Sequence, residues 1–159
     1  MNPSDVFINE EGTLKAIIQT QLNIPADNAW DLVKQSQTLV YVCKGLLSFD
    51  GSHQFPKQWR EGDTINTRLK LFGIIPAWKH SLRFILISDE SMVISTEEKG
   101  GIIQSWNHEI KFEVNSEFSC FYTDTVEINA GIFTPFIWLF ANALYRHRQR
   151  RWKYLIQKI

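Results

Sequence analysis

Two histidines and two carboxylates carry the chemistry that this sequence could perform. Trp106, His108, Ile110, Phe112 and Val114 alternate with polar residues and so share one face of a strand. Cys120, Tyr122, Asp124, Val126 and Ile128 share one face of the next strand. A turn centred on Ser116 sets His108 opposite Asp124 and Ile110 opposite Tyr122. Directly opposed side chains stand about 5 Å apart at Cβ, close enough for His108 and Asp124 to share a hydrogen bond. Such a pair is an oriented acid/base or a polar clamp on a ligand. The plainer alternative is a satisfied polar pair that pins strand register or ties the sheet to a helix. A second turn centred on Asp89 places His80 opposite Glu98 by the same reasoning, with Trp78, His80, Leu82, Phe84 and Leu86 facing inward. Glu98 lies near its strand's end, so this pair reads as a rim salt bridge or as the polar wall of a pocket.

Other chemistry is missing from the pattern. Cys43 and Cys120 form no CxxC and have no metal-ligand spacing, and no glycine-rich phosphate loop occurs, so neither a metal nor a cofactor is expected. The two cysteines read as free thiols in a reducing compartment, which points to the cytoplasm. Lys plus Arg equals Asp plus Glu at 17 each, a balance that argues against general nucleic-acid binding. Residues 1–12 have acidic side chains and no apolar run; they do not read as a signal peptide and are expected to be flexible. The uncharged stretch from Gly131 to Tyr145 has 15 residues, short of the roughly 20 needed to span a bilayer. Aromatic residues make up 13% of the 159-residue chain. So much ring area suits either a core of large units or a core left partly hollow and lined with rings.

The elements that must position these side chains follow from periodicity. Leu14 to Leu22 alternates and reads as a strand. Pro25 opens a short helix with Ala29, Trp30, Leu32 and Val33 on its apolar side, and a second short helix or turn covers Gln37 to Val42. Gly45 to Phe49 suits a short edge strand. After a polar loop holding Phe55, Pro56 and Trp59, strands are expected over Thr64 to Phe72, Ala77 to Ile87, Met92 to Glu98, Ile102 to Val114 and Phe118 to Ile128. The turns between them are too short for parallel crossovers, so the strands must be antiparallel. Thr134 and Pro135 read as N-cap and first residue of a helix that runs about six turns to Gln157. Ile137, Phe140, Ala141, Leu144, Arg148, Arg151, Trp152 and Leu155 keep helical spacing along it. This helix is large enough to cover the apolar face of the sheet. Near its end Arg146, Arg148, Arg150, Arg151 and Lys153 spread around the axis, which suits a solvated face that tethers the helix to sheet carboxylates. Contact with an anionic surface is the alternative. Arg68 should snorkel to solvent, while Phe55, Trp59 and Trp78 could cap a cavity as loop rings.

The order of these elements, and phrases inside it, resembles the START-like superfamily, also called SRPBCC. Ile24-Pro25-Ala26-Asp27-Asn28-Ala29-Trp30 resembles its strand-to-helix phrase. Trp106-Asn107-His108-Glu109-Ile110-Lys111-Phe112 resembles the aromatic-x-His-x-x-x-Phe strand of the bacterial ligand-binding, polyketide cyclase-like branch. Thr123-Asp124-Thr125-Val126 resembles that branch's Asp-x-Val, and Tyr145 to Trp152 its Arg-rich helix end. The resemblance spans about Thr13 to Ile156. It implies an α+β helix-grip fold: a curved antiparallel sheet of six or seven strands wrapped around a long C-terminal helix, with two short helices after the first strand. It also implies a cavity between sheet and helix for a small apolar ligand, and no particular reaction. Superfamily members include lipid carriers, polyketide cyclases and plant hormone receptors. The cyclases place acid/base residues at several cavity positions, and only single residues match here.

These readings converge on a single domain, residues 1–159, that binds or carries a small hydrophobic or amphipathic ligand. The expected wall comprises Trp78, His80, Glu98, Trp106, His108, Tyr122 and Asp124 from the sheet, with Ile137, Phe140 and Leu144 from the helix. One alternative is a cyclase, dehydratase or hydrolase acting on an aromatic or polyketide-like molecule through His108 and Asp124. Another is a lipid- or protein-interaction module that uses the apolar helix start, Trp138 to Leu144, with weak membrane-surface contact. Binding is favoured over catalysis, because an apolar lining suffices for it.

Overall fold

The computed structural model describes residues 12–159. Except for Gly12, the expected flexible start lies outside the described residues. The elements run β1 (Leu14–Leu22), α1 (Ala26–Val33), α2 (Ser36–Cys43), β2 (Leu47–Phe49), β3 (Thr64–Leu71), β4 (Ile75–Ser88), β5 (Val93–Gly100), β6 (Ile103–Ser116), β7 (Ser119–Asn129) and α3 (Thr134–Ile156). The strands form one curled antiparallel sheet in the order β1-β7-β6-β5-β4-β3-β2. Each short hairpin turn makes its two strands neighbours, and the long connection through α1 and α2 carries the chain from β1 to β2 at the far edge of the sheet, which leaves β1 to pair with β7.

The inner face of the sheet takes the apolar half of each alternating strand. Trp106, His108, Ile110 and Phe112 of β6 are buried, as are Cys120, Tyr122, Asp124, Val126 and Ile128 of β7. Two members of the expected inward sets turn out. Val114 is exposed at the tip of the β6–β7 hairpin, where a register shift between Val114 and Ser116 ends the regular alternation. Leu86 is exposed because a bulge between Phe84 and Leu86 adds a residue to β4.

Both hairpin registers differ from those read off the sequence. The β6–β7 turn is Glu117-Phe118, later than a turn centred on Ser116, so His108 faces Val126 and Asp124 faces Ile110. The β4–β5 turn spans Asp89 to Met92, with Met92 in the left-handed region at φ 50°, so Glu98 faces Leu82 and His80 faces Gly100. Each slip is two residues. A two-residue slip preserves the face of every side chain. His108 and Asp124, like His80 and Glu98, therefore become diagonal neighbours on one surface instead of opposed ones.

Helix α1 buries Ala26, Ala29, Trp30 and Val33, the spacing of one helical stripe. Trp30 meets Phe112 edge-on at 6.5 Å between ring centroids. Helix α3 buries Ala141, Leu144, Tyr145, Arg148, Gln149 and Trp152 along a stripe of three- and four-residue steps. Its start departs from expectation. Thr134 lies inside the helix, and its hydroxyl accepts from the Ala130 amide at 2.9 Å and donates to the Gly131 carbonyl at 2.7 Å. It thereby braces the 3₁₀ turn Gly131–Phe133 that leads into α3. The basic run is also divided: Arg148 is buried, while Arg146, Arg150 and Lys153 are exposed. Arg151 reaches α2 instead of a sheet carboxylate, donating to the Tyr41 carbonyl at 2.9 Å with its guanidinium over the Tyr41 ring.

The β5–β6 turn holds the indole of Trp78 in place. A Cβ on Gly101 would stand 2.9 Å from Trp78 Cγ, at a residue already at φ 57°. A Cβ on Gly100 would stand 2.7 Å from Trp78 Cδ1 and collide with the backbone carbonyl of Lys79. Backbone cannot yield as a side chain does. Gly100→Ala is therefore expected to cost about 1–3 kcal/mol, the usual range for overpacking. Urea denaturation checks this; an unchanged midpoint would show that β4 and β5 yield at this point.

Candidate ligand cavity

Glu98 stands at the centre of the polar wall. β5 carries it inward beside Thr96, and the strands on either side bring one histidine each, His80 from β4 and His108 from β6. His80 Nε2 donates to Glu98 Oε2 at 2.7 Å, and the Thr96 hydroxyl donates to Oε1 at 3.0 Å. His108 Nδ1 lies 3.9 Å from Glu98 Oε1, while its Nε2 donates to Asp124 Oδ1 at 2.9 Å. Tyr122 OH also donates to that oxygen at 2.8 Å, and Gln149 Nε2 donates to Oδ2 at 3.2 Å. The polar chain Glu98–His108–Asp124 thus crosses three strands and reaches α3.

Both carboxyls are held ionised. Burial would raise Glu98, but the hydrogen bond and charge of His80, the charge of His108 and the Thr96 hydrogen bond outweigh it and leave the carboxyl below its ordinary range. Burial likewise opposes the charge on Asp124; the charge of Arg148, then the hydrogen bond and charge of His108, hold it low. Burial pushes the thiols of Cys43 and Cys120 up to about 11, so both are protonated and unreactive at neutral pH.

Between this wall, α2 and α3 lies a cavity of about 80 Å³. Of the residues expected to form its wall, Trp78, His80, Glu98, Trp106, His108, Phe140 and Leu144 do line it. Tyr122, Asp124 and Ile137 do not. Helix α3 lies over β1 and β7, so Gln149 and Trp152 cover the inner face of β7 and seal Asp124 and Tyr122 away from the space. Ile137 packs against the core one turn before the cavity begins. Of the three candidate cap rings, Trp59 and Trp78 reach the wall, whereas Phe55 stops behind Trp59 at 5.6 Å. Arg68 is exposed on the outer face.

The sequence reading did not place several wall residues. Thr38, Val42 and Cys43 of α2 form one side, and Tyr145, Arg148 and Trp152 of α3 form another. Arg148 is the consequential one. It follows Leu144 by four residues and precedes Trp152 by four, so its place on the buried stripe was readable, but its membership of a basic run suggested solvent instead. It is 5% exposed, and its guanidinium sits 5.0 Å from the centre of the Tyr145 ring. Tyr145 in turn accepts a hydrogen bond from Trp106 Nε1 at 2.9 Å and packs on the His108 ring at 4.6 Å.

The apolar start of α3 is divided between two environments. Trp138 donates its indole N–H to the Lys15 carbonyl at 2.8 Å, and Phe140 and Leu144 turn to the cavity. Ile132, Phe136 and Leu139 are exposed. No described helix is long and apolar enough to cross a membrane.

Acid sensitivity follows from the two carboxyls. Their folded values lie below the unfolded ones, so through the carboxylate range the unfolded chain binds more protons and stability rises with pH. Their contribution is complete above the ordinary values, 4.5 for Glu98 and 3.8 for Asp124, and is lost as pH falls through the lowered folded values. Asp124→Asn should lower stability by about 3–5 kcal/mol near neutral pH, the usual cost of breaking a buried charge pair. It should also flatten the acid slope. Denaturant midpoints between pH 7 and 3 test both effects; a slope as steep as in the unsubstituted chain would remove Asp124 from the account.

No family model and no curated protein matches the sequence. Solved structures do match the whole architecture. Norcoclaurine synthase from Thalictrum flavum, solved with dopamine and hydroxybenzaldehyde, superposes with a TM-score of 0.66 at 15% identity, over 99% of this chain and 95% of that one. A START superfamily protein from Mycobacterium smegmatis gives 0.65 at 7% identity, over 91% and 97%. Major latex-like protein 151 from Panax ginseng gives 0.63 at 13% identity, over 89% and 95%. Together with the sheet order and the long terminal helix, these likenesses show that the chain has the START-like (SRPBCC) helix-grip fold.

Proposed function

We propose that the protein binds or carries a small hydrophobic or amphipathic ligand in the cavity between the sheet and α3, and that residues 12–159 act as one ligand-binding domain. The observation that carries this reading is the cavity itself. A space of about 80 Å³ in a core so rich in rings is not filled, although Trp59, Trp78, Trp106 and Phe140 all border it. Protein interiors otherwise close such voids, because empty space forfeits dispersion contacts. An apolar lining with a few convergent polar groups is the usual form of a small-molecule site. Norcoclaurine synthase, solved with two small aromatic molecules, supports a ligand of that kind for the same fold. The free, buried thiols Cys43 and Cys120 fit a reducing compartment and support a cytoplasmic location.

A second reading is catalysis of the cyclase, dehydratase or hydrolase type on an aromatic or polyketide-like molecule. The position of Glu98 favours it: a carboxylate on the cavity wall, hydrogen-bonded to one histidine and near another. Asp124 lies behind the wall, so its part would be to orient His108 and not to touch substrate. Contact with a membrane or a partner protein would fall to Ile132, Phe136 and Leu139, the exposed part of the helix start.

Thermal unfolding with one-ring aromatic compounds tests the binding reading. A ligand at a hundredfold excess over its Kd adds about 2.7 kcal/mol to stability, which raises the Tm of a chain of this size by roughly 5–10 °C. Leu144→Phe should fill the space from the α3 side, abolish the shift and leave the fold intact. Equal shifts in both proteins would place binding outside the cavity and contradict the proposal.

A further inference from the structure

Four buried nitrogens have no hydrogen-bond partner: Trp78 Nε1, His80 Nδ1, Arg148 Nε and Trp152 Nε1. All four belong to residues of the cavity wall. The coincidence matters, because buried polar groups in folded proteins are nearly always paired. His80 already gives its Nε2 proton to Glu98, which leaves Nδ1 as its unpaired nitrogen. The other three are N–H donors that lack acceptors.

Two of these donors lie together. Arg148 and Trp152 are four residues apart in α3, hence neighbours on one helix face, with Cβ atoms about 5–6 Å apart. Arg148 is 5% exposed and Trp152 fully buried. Among the described residues the Arg148 guanidinium makes no ion pair within 4 Å. One oxygen with two lone pairs could accept from both side chains.

The charges around the cavity select the kind of oxygen. Glu98 and Asp124 are both ionised, each accepting from a histidine, and Asp124 acts on the Arg148 charge. A further anion would enter beside Glu98, the carboxylate on the cavity wall, and would compete with Asp124 for the Arg148 charge in a site of low dielectric, where like charges repel strongly. A neutral acceptor avoids that repulsion. The volume limits the rest of the molecule: about 80 Å³ takes at most one ring, with a short substituent extending towards the open side of the pocket, and not a long acyl chain.

We infer that the cavity takes a neutral, one-ring-sized carbonyl compound whose oxygen accepts hydrogen bonds from Arg148 Nε and Trp152 Nε1. The inference rests on the ligand-binding reading above and names its ligand class.

Acetophenone, ethylbenzene and benzoate, three probes of similar size, test it by calorimetry or NMR titration. Without donors in the site, ethylbenzene would bind more tightly than acetophenone, because the ketone would bury an unpaired oxygen. With them, acetophenone should bind roughly tenfold more tightly than ethylbenzene, since a hydrogen bond from a charged donor contributes about 1.5–3 kcal/mol. Benzoate should bind more weakly than acetophenone. Trp152→Phe should keep the ring packing and reduce the ketone-to-hydrocarbon affinity ratio by about 3- to 10-fold, and Arg148→Lys should reduce it further while keeping the charge. Equal binding of acetophenone and ethylbenzene would overturn the role of the donors and leave the cavity reading standing. Benzoate as tight as acetophenone would overturn the neutral ligand class. Failure of all three probes to bind, ethylbenzene included, would overturn this inference and the cavity reading together.

Discussion

A carboxylate with no exposure to water has to be satisfied from inside the protein, and Asp124 is such a group. Removing an ion of this size from water costs several kcal/mol even after the protein relaxes. Its partners come from three elements: His108 from β6, Tyr122 from β7 and Gln149 from α3. Gln149 also donates to the Ile18 carbonyl of β1 at 2.7 Å. One buried charge thus fixes where α3 rests on the β1–β7 half of the sheet. The other half, β2 to β5, curls away from the helix, and α2 closes the remaining side. The cavity lies in the gap that this one-sided anchoring leaves.

Asp124 and Glu98 divide two tasks that their chemistry alone would not separate. Each accepts from a histidine, and each is held below the ordinary carboxylate range. Asp124 sits behind the wall under α3, where it holds sheet and helix together. Glu98 sits on the wall with its side chain 12% exposed, where a ligand can reach it. His108 connects them, close to one carboxylate through each ring nitrogen. A ligand that altered the charge at Glu98 would therefore act, through His108, on the groups that hold the fold.

The order of elements and the inward faces could be read from the sequence because period-two alternation survives errors of register. His108 and Asp124 were paired through the wrong opposition, yet a two-residue slip kept both on one surface and within hydrogen-bonding reach. The same was true of His80 and Glu98. Bulges are less forgiving: nothing in the residues around Leu86 announces the one that turns it to solvent. The wall contributed by α2 was hidden because short helices there could meet any part of the sheet. Arg148 shows a different limit. Its spacing placed it on the buried stripe, but charge type suggested solvent, and only the surrounding Asp124 charge and Tyr145 ring explain how a guanidinium is accommodated there. Tyr122 and Asp124 were on the expected face but not on the cavity, since alternation does not tell where along the sheet the helix makes contact.

The central claim is that the space between sheet and helix is a ligand cavity and not a loosely drawn core. A crystal structure determined under xenon pressure tests it most directly, because xenon enters apolar cavities that side chains do not fill. The account expects a xenon site bordered by Trp106, Ile110, Leu144 and the ring of Tyr145. Side chains of Trp78, Phe140 and Leu144 closed over Glu98, with no space left for the gas, would contradict it.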